Sequence, residues 1–533
     1  MKIQVLDCTL RDGGFVNDWQ FGHMSIINIY LRLAEAGIEI LELGFLHDQS
    51  VFNLDRSMQP TTEDFNRVFD IEPKNRPIFT GMVILGECRI ENIGPAKDSV
   101  LDAIRVVFKK QDIDAGIAYC KGVIERGYTL FVQPASVTDY SSEELADLAK
   151  RLNALDPYAV YIVDTYGLLQ KKNLLDTFDV LARTLKPEIA IGYHAHNNFN
   201  LAYANATELL QLKPDRDIIL DGTVYGMGKG AGNANTELLA FSLNNDYGKH
   251  YDLAQILEII NLEILSLKKK FDWGYSFDKF ISAANRCHPK YVGYLVSKNT
   301  LPVHAINTIL SEIPDETKTL YNNDLIETLY DAYLVKNSPI EDGYQHLKND
   351  LDGKAVLVLC PGSSLVTHKA EISSYINAHH PVVVSANFFS RDYACDYIMV
   401  SNAKRFGQMI YYLKKGKGEN RIITTTNVSG VDTHVNYTLN AEALKFEPEV
   451  IRFNSALIMI KVLAEFGHKA VTLAGFDGYE TGTKHKASYL AQDFAFDKPV
   501  EGAAINQAVN QALTELKQRI DIRLLTPSVY NLD

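Results

Sequence analysis

The chain is poor in cysteine and has no excess of positive charge. Its 533 residues include six cysteines, scattered without a C-x-x-C pair, so we expect neither a structural zinc knot nor a disulfide framework. The formal net charge is −13. Because binding to nucleic acid or to an anionic membrane surface needs a basic face, we expect neither partner.

Long hydrophobic runs are also missing. No apolar stretch approaches the length that crosses a membrane, and Asp7 follows Met1 too closely to leave room for the apolar core of a signal peptide. Scattered thiols suit a reducing compartment, so we expect a cytoplasmic protein. With 46% hydrophobic and 22% charged residues, the composition is that of a globular protein, and the length predicts two or three domains.

The first half of the chain alternates short β-rich runs with amphipathic helical stretches. Because parallel strands need long crossover connections, eight such units predict a closed (β/α)8 barrel, a TIM barrel, over residues 1–250. An open doubly wound sheet is the alternative, but Asp12-Gly13-Gly14 does not supply its nucleotide fingerprint. The predicted strands are 3–6, 38–43, 78–85, 103–108, 128–132, 159–163, 189–194 and 218–220.

The second half has a different pattern. Residues 251–345 predict a helical extension, and the polar stretch 337–354 within and after it predicts a linker. Residues 350–533 predict a Rossmann-like α/β domain. The fold class is therefore α/β, with a barrel, a helical extension and a second α/β domain. The predicted strands of that domain are 355–360, 381–385, 397–400, 421–425 and 470–474.

Polar residues at the carboxyl ends of barrel strands converge on one site. His194 and His196 are two residues apart on a strand, so both imidazoles face the same side. Together with a carboxylate such as Asp12 they form a site for a divalent ion with open positions for substrate. The alternative is that the histidines are ordinary core or surface residues, and their place among other polar strand ends favours the metal.

Three further residues are candidates for the same site. Arg11 adjoins Asp12 and is positioned to stabilise a developing enolate, or simply to pair with Glu42 on the second strand. Asp164 ends the sixth strand, where a carboxylate orients ligands or caps the next helix. Asn233 closes the glycine-rich segment 226–233 and either adds an amide oxygen to the metal site or starts the next helix.

These segments together resemble the metal-dependent lyase and synthase superfamily, which includes hydroxymethylglutaryl-CoA lyase, isopropylmalate and citramalate synthases and 4-hydroxy-2-oxovalerate aldolase. The resemblance covers about 240 residues and rests on four motifs in order. It implies that Asp12, His194 and His196, with Asn233 in some members, bind Mg or Mn, that Arg11 stabilises an enolate and that Glu42 completes the signature. The motifs are Leu6-Asp7-Cys8-Thr9-Leu10-Arg11-Asp12-Gly13-Gly14, Leu41-Glu42-Leu43-Gly44, Gly192-Tyr193-His194-Ala195-His196-Asn197-Asn198 and Gly226-Met227-Gly228-Lys229-Gly230-Ala231-Gly232-Asn233.

The resemblance implies a carbon–carbon lyase of the aldolase type that acts on a 2-oxo acid related to pyruvate, in a homo-oligomer. Two alternatives stay open: an acyl-CoA-dependent synthase of the same superfamily, and a non-catalytic barrel attached to a sugar-nucleotide-binding, glycosyltransferase-like domain. The bacterial aldolases carry a catalytic histidine where this chain has residues 14–17, so the general acid/base is unassigned. The candidates for it are Tyr166, Tyr193, Tyr225, His23 and His47.

The C-terminal domain weakly resembles the sugar-nucleotide-using domains related to bacterial sialyltransferases. The residues that carry this likeness are segments 359–365, 385–387 and 474–478. A Gly-Ser turn between a strand and a helix is suited to bind an anion. A sugar nucleotide is therefore a candidate ligand of residues 350–533, with an ordinary β–α turn as the alternative reading.

Overall fold

The computed structural model describes residues 2–212, 215–298, 301–318, 321–336, 342–415, 421–428, 435–479 and 502–530. The chain divides into two compact units, Met1–Pro289 and Lys290–Asp533. The boundary falls inside the segment 251–345 that predicts a helical extension. The division into three domains therefore stays a prediction.

The first unit is a closed barrel of parallel strands, as the sequence predicts. Neighbouring strands pair in chain order, and β1 closes the barrel by pairing with both β8 and β2. A two-residue strand, Met58–Gln59, pairs in parallel with the end of β2. The barrel strands are β1 Ile3–Asp7, β2 Ile40–Leu46, β3 Ile78–Ile84, β4 Ala103–Phe108, β5 Thr129–Pro134, β6 Ala159–Asp164, β7 Ala190–Ala195 and β8 Ile218–Gly222.

Alternation along the strands separates two cores. In β6, Ala159, Tyr161 and Val163 belong to the cluster that fills the barrel, whereas Val160 and Ile162 belong to the larger cluster beneath the helices. Successive side chains of a strand point to opposite faces. Both faces are apolar because the inner face fills the barrel and the outer face is covered by helices. A polar residue on the inner face of such a strand is therefore conspicuous.

The helices of this unit cover the barrel. At the start of α6 the Ser141 hydroxyl accepts a hydrogen bond from the backbone N–H of Glu144. The Glu144 carboxylate accepts one from the backbone N–H of Ser141, and the two bonds form a capping box. Its buried residues Leu145, Leu148 and Leu152 lie on one face. The helices are α1 Thr9–Asp12, α2 Gly14–Asn17, α3 His23–Glu35, α4 Thr62–Val68, α5 Ile113–Glu125, α6 Ser142–Leu152, α7 Lys171–Thr184, α8 Ala202–Gln211, α9 Thr236–Tyr247, α10 Leu253–Ile259, α11 Leu265–Lys268 and α12 Phe277–Ala284; a π turn, Ile260–Ile264, joins α10 to α11.

The second unit is built on a seven-stranded parallel sheet with the order β13-β12-β11-β10-β9-β14-β15. The order reverses between β9 and β14. Its strands are β9 Val356–Leu359, β10 Val382–Ala386, β11 Tyr397–Val400, β12 Arg421–Thr425, β13 Tyr437–Leu439, β14 Ala470–Ala474 and β15 Asp521–Leu524. Its helices are α13 Pro289–Ser297, α14 Val303–Ser311, α15 Asn323–Lys336, α16 Asp342–Leu351, α17 Ser364–Thr367, α18 Lys369–His379, α19 Ala403–Lys415, α20 Ala441–Leu444, α21 Ser455–Phe466 and α22 Gly502–Leu516.

The prediction of a linker over residues 337–354 is wrong where the structure describes that segment. Helix α16 occupies most of it. Leu347 and Leu351 are fully buried, and the Tyr344 ring packs edge-on against Phe466 with centroids 4.9 Å apart. The three apolar residues are spaced to lie on one helical face, which the many polar residues between them conceal.

None of the helices among the described residues combines the length and the apolar character that crossing a membrane requires.

Candidate metal centre at the carboxyl end of the barrel

Asp12, His194 and His196 meet at one end of the barrel. Asp12 lies in α1, directly after β1, while His194 and His196 lie at the end of β7. One ligand atom from each lies within 4.8 Å of the other two, and all three residues are buried. The carboxylate and the two imidazoles are thus close enough to share one ion, which is the arrangement that their strand positions predict.

Hydrogen bonds orient both imidazoles. Nδ1 of His194 lies 2.9 Å from Oδ2 of Asp221, and Nδ1 of His196 lies 3.2 Å from the carbonyl oxygen of Gly232. Both partners are acceptors, so each Nδ1 carries the proton and donates it. In this tautomer of the neutral imidazole, Nε2 has a free lone pair, which is the state that binds a metal. Nε2 of His194 lies 3.6 Å from Oδ2 of Asp12.

Asp12 is held as a carboxylate. Burial acts to raise its pKa, but the charge of Arg11 and the nearby histidines outweigh burial and hold the pKa well below its usual range. Nη1 of Arg11 donates to Oδ2 of Asp12. Oδ1 accepts hydrogen bonds of 2.9 Å from Nδ2 of Asn233 and from the backbone N–H of Lys229. Burial lowers the pKa of His196 to about 4, against the attraction of Asp12.

A chain of buried charges runs beneath the site. Nε of Arg11 donates to Oε2 of Glu42 over 2.6 Å, and the same oxygen lies 2.9 Å from Nη1 of Arg105. Nη2 of Arg105 reaches Oδ2 of Asp221 at 2.5 Å, the oxygen that also accepts from His194. Arg11 and the metal-facing imidazole are therefore linked through Glu42, Arg105 and Asp221.

The sequence reasoning missed Arg105, and it noted Asp221 only as a polar residue at the end of the eighth strand, without a role. The signal was present: Arg105 interrupts the otherwise apolar β4 at an inward-facing position, as Glu42 interrupts β2. Its side chain is fully buried, with the guanidinium 4.6 Å from the ring centroid of Tyr161. A buried arginine requires carboxylate partners, and the inward polar positions of the other strands supply them.

The glycine-rich loop after β8 passes directly over the site. A Cβ added at Gly228 would lie 2.2 Å from Nδ2 of Asn233 and 2.6 Å from Oδ1 of Asp12. Gly232 has a φ of 75°, and a Cβ there would meet the carbonyl oxygen of Gly226 at 1.9 Å. The backbone can approach the carboxylate this closely only because side chains are absent. Helix α9 then begins at Thr236 with Asn235 as its cap residue, so Asn233 does not start it.

Asp164 lies near the site but is occupied by its own loop. Its two carboxylate oxygens accept hydrogen bonds of 2.9 Å from the backbone N–H groups of Leu168 and Leu169. Burial raises its pKa to about 6, although those two hydrogen bonds oppose the rise. The carboxylate therefore shapes the loop between β6 and α7, before α7 begins at Lys171, and it is not among the grouped metal ligands.

The five candidates for the general acid/base have different local surroundings. The Tyr193 hydroxyl is buried and accepts from Asn205. His23 contacts the carbonyl oxygen of Val68, and His47 accepts from the backbone of Gln49. Tyr225 lies in the glycine-rich loop, with 39% of its surface exposed, whereas Tyr166 follows β6. Neither of the two histidines, His23 and His47, belongs to the grouped metal ligands among the described residues.

A second grouping of possible ligands, Cys8, His194 and Asp221, shares a histidine with the first. Burial raises the pKa of the Cys8 thiol well above its usual range, and the thiol donates to the carbonyl oxygen of Gly222 at 3.4 Å. Asp221 is already engaged by Arg105 and His194. The grouping that contains Asp12 is therefore the better metal site.

The Gly-Ser turn of the second unit already binds the side chain of Asp477. Oδ2 of Asp477 accepts from the Ser364 backbone N–H at 2.9 Å and from the Ser363 hydroxyl at 3.2 Å. A Cβ on Gly362 would lie 2.4 Å from this carboxylate. The donors that the sequence offers to a phosphate are thus taken by Asp477. The expectation of a sugar nucleotide in this unit has no support here and stays a prediction.

Comparison with known protein families identifies the class of protein that the barrel resembles. The HMGL-like family model matches residues 2–262. The predicted resemblance to the metal-dependent lyase and synthase superfamily is therefore confirmed for the barrel. The match ends before the second unit begins.

Individual relatives match the same part of the chain. It is 27% identical over 240 residues to a 4-hydroxy-2-oxovalerate aldolase of Rhodococcus opacus, an alignment that covers 45% of this chain and 67% of the relative. It is 26% identical to an oxaloacetate decarboxylase of Mycobacterium tuberculosis, over 45% of this chain and 69% of the relative. Among solved structures, HMG-CoA lyase of Bacillus subtilis is similar, with 18% identity, a TM-score of 0.41, and coverage of 50% of this chain and 94% of that chain.

Proposed function

We propose that the barrel is a divalent-metal-dependent carbon–carbon lyase of the aldolase type, acting on a 2-oxo acid. The observation that carries the proposal is the set of ligand atoms from Asp12, His194 and His196 within 4.8 Å of one another. Two imidazoles and a carboxylate are a ligand set for a divalent ion that leaves positions open for substrate. Aldolase and decarboxylase relatives that match the barrel support the reaction class.

The residues present fit such an ion. Oδ1 of Asn233 is buried and has no hydrogen-bond partner among the described residues, so an amide oxygen is available as a fourth ligand. The two arginines and three carboxylates in this network, Arg11, Arg105, Asp12, Glu42 and Asp221, leave a net negative charge. A bound Mg or Mn ion would act as a Lewis acid on the carbonyl oxygen of the substrate.

Arg11 supplies the second electrostatic element. Its Nε and Nη1 are held by Glu42 and Asp12, while its Nη2 forms no hydrogen bond with the described residues. The guanidinium is thus fixed in place and retains one amino group that can donate to an oxygen of the substrate. A donor aimed at the oxygen on which negative charge develops lowers the barrier to enolate formation.

The test combines metal binding with an enolate assay. Purified full-length protein freed of metal by a chelator is titrated with Mn²⁺ by electron paramagnetic resonance. The exchange of pyruvate methyl protons in deuterated buffer is then followed by NMR. We expect binding of one Mn²⁺ per chain and exchange that depends on it, and we expect Asp12→Asn and His194→Ala to lose both.

The matched control is His250→Ala, which removes an exposed histidine from a loop after α9. It should behave like the unmodified protein. Exchange that continues after the metal is removed would contradict the mechanism. A barrel that binds no Mn²⁺ at micromolar concentration would instead support the non-catalytic alternative, and exchange on an acyl-CoA in place of pyruvate would support the synthase alternative.

A further inference from the structure

Lys229 is fixed beside the candidate metal centre by its backbone. Its N–H donates to Oδ1 of Asp12 over 2.9 Å, the same oxygen that Asn233 contacts. On its N-terminal side, Gly228 lies too close to that carboxylate to carry a side chain. The side chain of Lys229 therefore starts within one residue of the ion site, from a backbone position that the site itself holds.

The ammonium group of Lys229 extends over an aromatic ring at the mouth of the barrel. Nζ lies 5.3 Å from the ring centroid of Phe15. Phe15 is 37% exposed and meets the ring of Trp19 edge-on, with centroids 4.7 Å apart. The indole N–H of Trp19 donates to the carbonyl oxygen of Arg11 at 2.8 Å. The Phe15–Trp19 ring pair beneath the ammonium group is therefore held by a hydrogen bond to Arg11, the residue that is expected to stabilise the enolate.

This ammonium group has no counter-ion in the part of the chain that the structure describes. Arg11 and Arg105 are each held by two carboxylates, whereas Lys229 forms no ion pair with any described residue. An unpaired cation at the entrance of an active site attracts and binds anions.

We propose that Lys229 determines specificity by binding a second anionic group of the substrate. The inference rests on the proposed function and narrows its substrate class to 2-oxo acids whose far end carries a carboxylate or a phosphate. The 2-oxo acid end occupies the ion and Arg11, and the far group forms a charge-assisted hydrogen bond with Nζ. Phe15 gives the connecting carbon chain an apolar surface at the mouth.

The experiment compares ligands that carry a second anionic group with a monoanionic analogue of similar shape. 2-Oxoglutarate and 2-oxoadipate are tested as inhibitors of pyruvate proton exchange beside 5-methyl-2-oxohexanoate, which carries an isopropyl group in place of the far carboxylate of 2-oxoglutarate. 2-Oxo-4-phosphonobutyrate tests a phosphonate in the same position. In the unmodified protein we expect the better dianion to inhibit at a concentration about tenfold lower than the monoanionic analogue, and this preference should weaken in high salt.

Three variants isolate the side chain. Lys229→Met should lose the preference for the dianion, so that the ratio of inhibition constants falls by about tenfold, and Lys229→Arg should restore most of it. Lys150→Met removes an exposed lysine from the last turn of α6, at the opposite end of the barrel, and should leave the ratio unchanged. An unmodified protein without preference, or a Lys229→Met variant that keeps it, overturns the inference while pyruvate exchange still supports the lyase.

Discussion

Buried charges define this site, and each is stabilised by another. Transferring an arginine or a carboxylate from water to the protein interior costs desolvation free energy, so a buried charge is stable only in close contact with a partner of opposite charge. Glu42 separates Arg11 from Arg105, and Asp221 separates Arg105 from His194. The barrel interior therefore consists of an apolar layer and, next to the candidate metal centre, an ionic layer that supports the residues of that centre.

Asp221→Asn tests whether this layer positions the metal ligand. The carboxylate fixes the proton of His194 on Nδ1, and removing its charge weakens that bond and leaves Arg105 with one partner. Loss of a group that orients a metal-binding histidine costs about 10- to 100-fold in metal affinity. We expect a change of that size in the dissociation constant for Mn²⁺, measured by electron paramagnetic resonance.

The control for this variant is Asp215→Asn, which changes the same chemical group at an exposed position of the neighbouring loop. Its affinity for Mn²⁺ should equal that of the unmodified protein. If Asp221→Asn also binds Mn²⁺ normally, then Asp221 only balances the charge of Arg105, and the orientation of His194 has another cause.

Asp7 predicts a dependence of stability on pH that is separate from the metal. Burial raises its pKa to about 6, although the Thr236 hydroxyl donates to it. A folded-state pKa above the unfolded value favours folding below about pH 4, and this contribution is lost as the pH rises through 6. Between pH 4 and 7 the unmodified protein should lose about 3 kcal/mol of unfolding free energy relative to Asp7→Asn.

Urea unfolding of the first unit at four pH values in that range measures this difference. Asp147→Asn, at an exposed position of α6, serves as the reference and should follow the unmodified protein at every pH. A constant offset between Asp7→Asn and the unmodified protein would mean that Asp7 is ionised throughout and that burial does not control its proton.

At the scale of the elements, the hydrophobic pattern of the sequence identified the barrel strands but missed two strands of the second unit. The eight barrel strands appear where apolar runs predict them, because both of their faces are buried. Strands β13 and β15, at the two edges of the second sheet, were missed. Edge strands are short and half exposed, as the pattern of Asp521–Leu524 illustrates, so their apolar signal is weak.

The candidate site, like the strands, was predictable only in part. His194 and His196 follow from strand alternation and Asp12 from its place after β1. Asp164 was placed in the site on the same argument, and the loop hydrogen bonds that occupy it depend on a turn that no local pattern specifies. Arg105 was missed because an isolated charge in a strand gains meaning only when its partners, on β2 and β8, are known.

The glycine-rich loop provides a prediction at this scale. Gly228→Ala places a methyl group 2.2 Å from the Asn233 amide and 2.6 Å from Asp12, so the loop must move away from the carboxylate. We expect Mn²⁺ affinity and pyruvate exchange to fall by about tenfold or more, since misplacement by about 1 Å is enough for such losses. The circular dichroism spectrum should stay unchanged.

Gly230→Asn is the matched control in the same loop. Gly230 has a φ of 63° and open space around its Cβ position, and asparagine tolerates this left-handed backbone better than other side chains do. Its metal affinity should stay close to that of the unmodified protein. Equal losses in both variants would indicate that any side chain in the loop is harmful, and the close approach at Gly228 would then explain nothing.

On the scale of the whole molecule, the proposed activity is confined to one of two units. The ligand triad, the buried ionic layer, the glycine-rich loop and Lys229 all belong to Met1–Pro289. That unit has its own core, and the second unit has separate buried clusters around its parallel sheet. Independent cores are the physical requirement for independent folding.

The first unit should therefore act alone. A fragment of residues 1–288, which ends before α13 begins at Pro289, should unfold cooperatively, bind one Mn²⁺ and exchange the methyl protons of pyruvate at a rate similar to that of the full chain. The fragment of residues 289–533 should fold and bind no Mn²⁺ at micromolar concentration. A first fragment that folds and binds Mn²⁺ but does not exchange pyruvate protons would mean that the second unit contributes to the chemistry, because nothing in its own fold or metal ligands would then be missing.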